Sequence, residues 1–169
     1  SEDIDLHRRI MGTGYLPADH EGLTMPEIFS YPCSPHLAAR IDKRAIDFDK
    51  IERATKELAR RYDVVLVEGA GGLMVPLTED FLTIDYVAEK KYPLIFVTSG
   101  KLGSINHTLL SLEAIRSRSI ALHTVLYNLY PTVEDKTIQD DTMQYIRNYL
   151  VKHFPETRFE IVPEIKDAF

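Results

Sequence analysis

The beginning of the chain carries a helical spacing of apolar residues, followed by a proline-rich stretch. Within residues 1–12, apolar side chains at Ile4, Leu6 and Ile10 predict a short amphipathic helix that buries all three. Residues 13–35 contain four prolines and predict a loop. The sequence therefore predicts one helix followed by irregular backbone.

A stronger helical pattern covers residues 48–61. Its beginning contains Asp49 followed three residues later by Glu52, which is a capping-box pattern. The positions expected on its apolar face are Ile51, Ala54, Thr55 and Leu58. We therefore predict a helix there with one buried face.

Four short runs of β-branched and aliphatic residues predict strands. The clearest run, 63–67, is continuous and not alternating, which is typical of a strand buried on both faces of a parallel sheet. Similar runs occur at 94–97, 122–127 and 159–162. Helical patterns separate the runs at about residues 80–90, 104–117 and 137–153. This alternation predicts an α/β fold, a doubly wound and mostly parallel sheet with helices on both faces, in a single domain spanning 1–169.

Composition narrows the class of protein. The net charge of −6 disfavours a nucleic-acid partner, because such surfaces are normally basic. No apolar run approaches the roughly 18 residues of a membrane span, and no basic-then-apolar leader opens the chain. Cys33 is the one cysteine, so no internal disulfide can form. We therefore expect a cytoplasmic small-molecule enzyme with neither a nucleic-acid nor a membrane partner.

Ligands of doubly wound sheets bind at the carboxyl ends of the strands, so the residues after each predicted strand are candidates for a site. Glu68 follows the first strand and is followed by the glycine turn, residues 69–72, with sequence Gly-Ala-Gly-Gly. A carboxylate there suits Mg²⁺, and glycines let backbone amides approach an anion. The alternative interpretation is a tight turn whose glycines only relieve crowding.

Two other strand ends carry candidate groups. Residues 103–106 open a predicted helix with Ser104 as N-cap, and the free amides of a helix start suit a carboxylate. The alternative is an ordinary capped helix. Asn128 closes the third strand before Pro131, and its carboxamide either reads a base edge or makes a local turn.

Other chemistry finds little support in the sequence. The acidic residue Asp3, with its neighbours Glu2 and Asp5, is compatible with a solvated helix start. The histidines show no spacing typical of a metal site, and one cysteine cannot build a zinc centre. No Gly-x-Ser-x-Gly segment indicates a nucleophilic serine.

Three segments of the chain resemble the dethiobiotin synthetase family. They are Val65–Leu77, which contains Glu-Gly-Ala-Gly-Gly, Lys101–Leu110, which contains Gly-Ser-Ile-Asn-His, and Pro32–His36, which contains Ser-Pro-His. They occur in the family's order and at similar spacing over nearly all of the chain. The resemblance implies a fold like that of the P-loop NTPases.

The resemblance also implies a reaction. Enzymes of this family close the ureido ring of dethiobiotin on 7,8-diaminopelargonic acid, using CO₂, ATP and Mg²⁺, in biotin biosynthesis. A carbamate forms on one amine, ATP phosphorylates it, and the second amine expels phosphate. Such chemistry depends on positioning and charge neutralisation. The resemblance further implies a homodimer.

Each candidate residue acquires a role from the resemblance. Glu68 and Asp3 match the family's Mg²⁺ ligands. The turn whose amides face the carbamate and phosphate corresponds to Gly69, Ala70 and Gly71. The helix start that holds the distal carboxylate of the substrate, across a dimer interface in the family, corresponds to Gly103, Ser104, Ile105 and Asn106. The residues matching the base-binding asparagine and the lining of its pocket are Asn128, Val162, Pro163 and Glu164.

One departure from the family concerns the start of the sequence. The family begins with a strand and a glycine-rich phosphate loop, but no Gly-x-x-x-x-Gly-Lys-Ser/Thr segment occurs here. We therefore expect this sequence to be the C-terminal part of a longer chain. Two alternatives stay open: a relative of the cobyrinate-type amidating synthases, and a non-catalytic or partitioning-type dimer module.

Overall fold

The computed structural model describes residues 2–130 and 135–164. Contacts divide the chain into two compact units, Ser1–Thr83 and Ile84–Phe169, and each is described by itself. The single domain expected from the sequence stays a prediction. Pro131, which bears on the predicted turn after Asn128, lies outside the described residues.

The described part of the first unit is helical and irregular. Its helices are α1 (Glu2–Met11), α2 (Pro17–His20), α3 (Pro35–Ile41) and α4 (Phe48–Arg61). The predicted helices at 1–12 and 48–61 are confirmed, whereas α3 and the single turn α2 were not predicted. Proline occupies the first position of both, where its missing amide costs no helical hydrogen bond.

Two details of the predicted helices are wrong. Ile4 is buried in α1, but Ile10 is 49% exposed because it lies off the face that packs inward. The N-cap of α4 is Asp47 and not Asp49, since the Asp47 carboxylate accepts from the Lys50 amide at 2.8 Å. A capping side chain must precede the first helical turn to reach its free amides, and Asp49 already lies inside that turn.

The predicted strand at 63–67 is not formed in the described structure. Val64 is 75% exposed and Leu66 is 77% exposed, so the run is not buried on either face. A strand is defined by hydrogen bonds to a neighbouring strand. In the described part of the first unit, the only ladder contact recorded is the isolated antiparallel bridge between Pro76 and Leu82. The apolar pattern identified an extended segment but could not supply its partner.

The second unit contains the sheet. Its elements, in chain order, are α5 (Thr83–Lys90), β1 (Leu94–Ser99), α6 (Ser104–Ser117), β2 (Leu122–Asn128), α7 (Lys136–His153) and β3 (Arg158–Val162). Within the described residues the three strands form a parallel sheet in the order β1-β2-β3. The strands predicted at 94–97, 122–127 and 159–162 are confirmed, as are the three predicted helices.

Both α6 and α7 pack on one face of this sheet. Thr98 on β1 and Tyr127 on β2 are register partners, so their side chains share a face. Thr98 contacts α6 through Thr108, and Tyr127 contacts α7 through Gln139. The core of the unit consists of Ile84, Leu112, Ile115, Val125, Tyr127, Ile146 and Leu150, which are almost fully buried.

The α/β fold with a parallel sheet is therefore confirmed. In a parallel sheet the carboxyl ends of the strands meet at one edge, which brings the residues after β1 and β2 close together. No helix in residues 2–130 and 135–164 is long and apolar enough to span a bilayer.

Candidate active site

Glu68 and the glycine turn lie in the first unit, after the extended segment that follows α4. The Glu68 side chain is exposed. Gly71 has a φ of +81°, a left-handed backbone that costs a side-chain-bearing residue energy. A Cβ atom at Gly69 would lie 2.9 Å from Thr83 Cγ2, and one at Gly71 would lie 2.9 Å from Val75 Cγ2. Two of the glycines are therefore required by local geometry.

The turn is closed by short backbone contacts. The Val75 amide donates to the Gly72 carbonyl oxygen at 3.1 Å, and the Thr83 amide donates to the Val75 carbonyl oxygen at 3.0 Å. The His36 amide donates to the Pro76 carbonyl oxygen at 3.4 Å. The structure thus brings the Ser-Pro-His segment, at the start of α3, against the segment that leaves the glycine turn.

His36 also carries a buried polar atom that sequence reasoning missed. Its ring atom Nδ1 is buried and has no hydrogen-bond partner among the described residues. Buried polar atoms in native proteins are nearly always paired with protein or water. The sequence signal was present in the Ser-Pro-His motif, but nothing in the motif indicates which ring nitrogen is buried.

Asp3 is an exposed residue in the first turn of α1. The same helix is anchored by Arg8, whose Nε and Nη2 atoms donate to the two carboxylate oxygens of Asp19, both at 2.8 Å. Asp19 also accepts from the Leu16 amide and the Thr24 hydroxyl, each at 2.7 Å. The Arg8 hydrogen bonds hold the pKa of Asp19 well below its usual range, although burial opposes the shift.

The described residues contain no ready-made metal cluster. No group of three or more His, Cys, Asp or Glu side chains in residues 2–130 and 135–164 could hold an ion. Glu68 and Asp3 therefore do not belong to such a group. Two exposed carboxylates can still serve a metal that completes its coordination with phosphate and water.

The start of α6 is built differently from the prediction. Gly103, with a φ of +89°, is the N-cap, and Ser104 is the first helical residue and is buried. Ser104 was predicted as the cap, but only glycine enters this turn in a left-handed conformation without strain. The predicted residues 103–106 nevertheless do form a helix start, with Asn106 in its first turn and exposed.

An open cavity of about 440 Å³ adjoins this helix start. One wall is residues 101–105, and the other is the first two turns of α7. The α7 residues that line it are Thr137, Ile138, Asp141 and Thr142. Its volume lies in the range of small-ligand sites.

Asn128 and the predicted base-pocket residues meet at the edge of the same sheet. Asn128 and Val162 are register partners on β2 and β3, and the Leu129 amide donates to the Val162 carbonyl oxygen at 3.0 Å. Asn128 Oδ1 accepts from the Tyr130 amide at 2.9 Å, which is the local turn anticipated from the sequence. Pro163 and Glu164 follow β3 directly.

Two partly buried polar contacts in the second unit were not anticipated. The hydroxyl oxygens of Thr98 and Thr108 lie 2.6 Å apart, and the Tyr127 hydroxyl donates to the Gln139 carbonyl oxygen at 3.2 Å. Burial raises the pKa of Tyr127 above its usual value. Apolar periodicity carries no signal for such pairs, because threonine fits a core face as a small residue.

Comparison with known proteins agrees with this fold. A family model described as an AAA domain matches residues 7–167. The chain is 50% identical over 162 residues to the ATP-dependent dethiobiotin synthetase BioD 2 of Pasteurella multocida, covering 96% of this chain and 76% of the relative. It is 48% identical over 162 residues to the enzyme of the same name from Haemophilus ducreyi, with the same coverage.

A third relative extends the agreement. The ATP-dependent dethiobiotin synthetase BioD 2 of Haemophilus influenzae is 56% identical over 131 residues, covering 78% of this chain and 69% of that relative. The fold and the matched model place the chain in the AAA-domain class of α/β proteins. Within that class, the chain belongs to the dethiobiotin synthetase family.

Proposed function

We propose that this protein is an ATP-dependent ligase that forms dethiobiotin from 7,8-diaminopelargonic acid, CO₂ and ATP. The observation that carries the proposal is the 50% identity, over 96% of this chain, to a relative that is named as that synthetase. The candidate site residues support the same reaction, and their roles can be argued one by one.

Mg²⁺ fits the oxygen ligands that Glu68 and Asp3 offer. Mg²⁺ is usually bound by one or two carboxylates together with substrate phosphates and water, and both side chains are exposed. When bound, the ion neutralises charge on the phosphates during phosphoryl transfer. Glu68 and Asp3 would hold and orient it.

The glycine turn is proposed to receive the carbamate and the transferred phosphoryl group. Backbone amides of residues 69–71 can donate to an anion, since the two glycines carry no side chain and the one at Ala70 is a methyl group. This interpretation differs from a purely steric turn, which the contacts of Gly69 and Gly71 would also permit. The two interpretations are compatible, because a turn fixed by sterics is preorganised to bind an anion.

The nucleotide base is proposed to bind beside Asn128 at the edge of the sheet. Its carboxamide oxygen accepts from the Tyr130 amide, and this contact fixes the orientation of the group. The amide nitrogen then points a donor at a base edge. The neighbouring Val162, Pro163 and Glu164 would line the pocket, with Val162 already beside Asn128 in the register.

The distal carboxylate of the diamine is proposed to bind at the start of α6. The amides of Ile105 and Asn106 have no partner within the helix, and the helix dipole favours an anion there. The Ser104 amide already donates to the Lys101 carbonyl oxygen at 2.8 Å, which holds the turn that leads into the helix. The exposed Asn106 adds a side-chain donor. The cavity of about 440 Å³ beside this helix start offers room for the ligand. We further propose that the protein is a cytoplasmic homodimer.

The test is a product assay on the full-length protein. Diaminopelargonic acid, ¹³C-labelled bicarbonate and Mg-ATP are supplied, and labelled dethiobiotin is measured by mass spectrometry together with released phosphate. We expect one phosphate per labelled dethiobiotin, and neither product when the diamine is omitted. If phosphate is released at the same rate with and without the diamine, and no labelled dethiobiotin forms, the proposal is overturned.

A further inference from the structure

A hydrogen bond between two threonine hydroxyl groups, one buried and one half-buried, joins the end of β1 to α6. The hydroxyl oxygens of Thr98 and Thr108 lie 2.6 Å apart, so one donates and the other accepts. Thr108 is only 1% exposed. Valine has nearly the same shape, and replacing both partners of a buried hydrogen bond by apolar groups of the same shape can be nearly neutral for stability. The fold alone therefore does not require hydroxyls here, whereas a hydrogen bond imposes a geometry that apolar packing does not.

The Thr98–Thr108 hydrogen bond lies near the start of α6, where the carboxylate is proposed to bind. Thr108 lies one helical turn after Ser104, so the two side chains share a helix face, and both are buried. The Thr98–Thr108 contact spans the loop that contains Gly100 and Gly103. Any rotation or sliding of α6 along β1 would lengthen this contact, so it fixes where the free amides at the helix start are presented.

A second contact fixes the opposite wall of the cavity. Tyr127, the register partner of Thr98, is fully buried and donates its hydroxyl to the Gln139 carbonyl oxygen in α7. A Cβ atom at Gly100 would lie 2.7 Å from the Tyr127 hydroxyl oxygen, so the loop before α6 runs directly over that group. Thr98 and Tyr127, which are neighbours on the sheet, thus hold in place the two helices whose first turns line the cavity.

We propose that Thr98 and Thr108 are positioning residues, which set α6 so that its first amides and Asn106 hold the carboxylate of the substrate. This inference rests on the proposed function, since it concerns the same ligand. It assigns to the pair neither contact with the substrate nor a part in phosphoryl transfer. The expected defect is therefore selective: binding of the diamine weakens, while ATP binding and turnover at saturation are retained.

The test uses four variants of the full-length protein: Thr98→Val, Thr108→Val, the double valine variant and Thr108→Ser. We expect each single valine variant to raise KM for the diamine roughly five- to thirtyfold, equivalent to about 1–2 kcal/mol at 1.4 kcal/mol per tenfold change. The kcat and the KM for ATP should stay within about twofold. The double variant should be no worse than either single one, because both remove the same contact. Thr108→Ser keeps the hydroxyl and should leave the KM for the diamine at the wild-type value.

Thr157→Val is the matched control. The Thr157 hydroxyl donates to the Leu122 carbonyl oxygen at 2.8 Å, at the amino end of the same sheet and away from the cavity. It should lower the unfolding temperature without changing KM. Asn106→Ala, which removes a proposed contact with the carboxylate itself, gives the size of a direct binding defect.

Calorimetric titration with diaminopelargonic acid separates failure of this inference from failure of the proposed function. If the wild type binds and converts the diamine but Thr108→Val binds it equally well, the positioning role is wrong and the function stands. The role is equally wrong if Thr157→Val and Thr108→Val raise KM alike. A wild type that neither binds nor converts the diamine overturns both proposals.

Discussion

At the scale of single residues, the proposed chemistry depends on the charge of Glu68. Glu68→Gln keeps the size of the side chain and removes the negative charge that would hold Mg²⁺. We expect kcat in the full-length protein to fall by a factor on the order of 100 or more, with partial recovery at high Mg²⁺. Turnover measured across a Mg²⁺ titration checks this. A variant with normal turnover and a normal Mg²⁺ dependence would remove Glu68 from the metal site.

The glycine turn offers a second prediction at the same scale. Gly71 has a φ of +81° and no room for a Cβ atom, whereas Gly72 has open space and no positive φ. Gly71→Ala should lower the free energy of unfolding by about 1–2 kcal/mol. Gly72→Ala, the adjacent control, should change it by less than about 0.5 kcal/mol. Urea denaturation of both variants makes the comparison, and equal effects would show that the turn tolerates a side chain at 71.

At the scale of elements, the apolar pattern predicted the longer helices well, but it predicted strands correctly only where a neighbouring strand was present to pair with. The bounds predicted for α4 and α6 match because each pattern extends over three or more turns. The run 63–67 was wrong as a strand, since pairing depends on a neighbour that a local pattern does not contain. Both predicted caps were wrong by one or two residues, because capping depends on backbone angles such as the positive φ of Gly103.

In the candidate site, too, the sequence located residues next to a recognisable helix or strand but not contacts between residues far apart in the chain. Residues 103–106 and Asn128 could be located because they follow recognisable elements, and β2 and β3 then bring Asn128 to Val162. The Thr98–Thr108 hydrogen bond could not be predicted, since it joins residues ten positions apart and both threonines fit the pattern of core positions.

The ion pair between Arg8 in α1 and Asp19 in α2 gives a pH-dependent prediction. Asp19 is buried, and hydrogen bonds from Arg8 lower its pKa in the folded state. A lowered folded-state pKa stabilises the fold fully above the unfolded value of about 3.9, and the contribution is lost as the pH falls through the folded pKa. Asp19→Asn should therefore cost about 3 kcal/mol at pH 7. The difference from the wild type should shrink progressively below about pH 4.

Urea denaturation of wild type and Asp19→Asn between pH 3 and 7 measures this difference. Glu57→Gln is the control, because Glu57 pairs with Arg61 on the exposed surface of α4 and should change stability little at any of these pH values. A cost for Asp19→Asn that stays constant down to pH 3 would show that the lost contacts, and not the ionisation of Asp19, matter.

At the scale of the whole molecule, the proposed homodimer can be tested through the cavity beside α6. Leu102 lines this cavity and is 99% exposed, and Ile138 on the opposite wall is 49% exposed. Apolar side chains exposed around a candidate site are typical of a surface that a partner covers. If a second copy covers it, a charge at 102 must be desolvated on association, which is costly.

Leu102→Glu should therefore weaken dimerisation by at least about tenfold and raise KM for the diamine at the same time. Val151→Glu is the control, since Val151 is also exposed, at 71%, but lies in the last turn of α7 and does not line the cavity. Sedimentation equilibrium over a range of concentrations measures the association, and initial rates at each concentration measure the kinetic effect. A wild type that sediments as a monomer while fully active would exclude the dimer from the mechanism. A Leu102→Glu dimer as tight as the wild type would place the interface elsewhere.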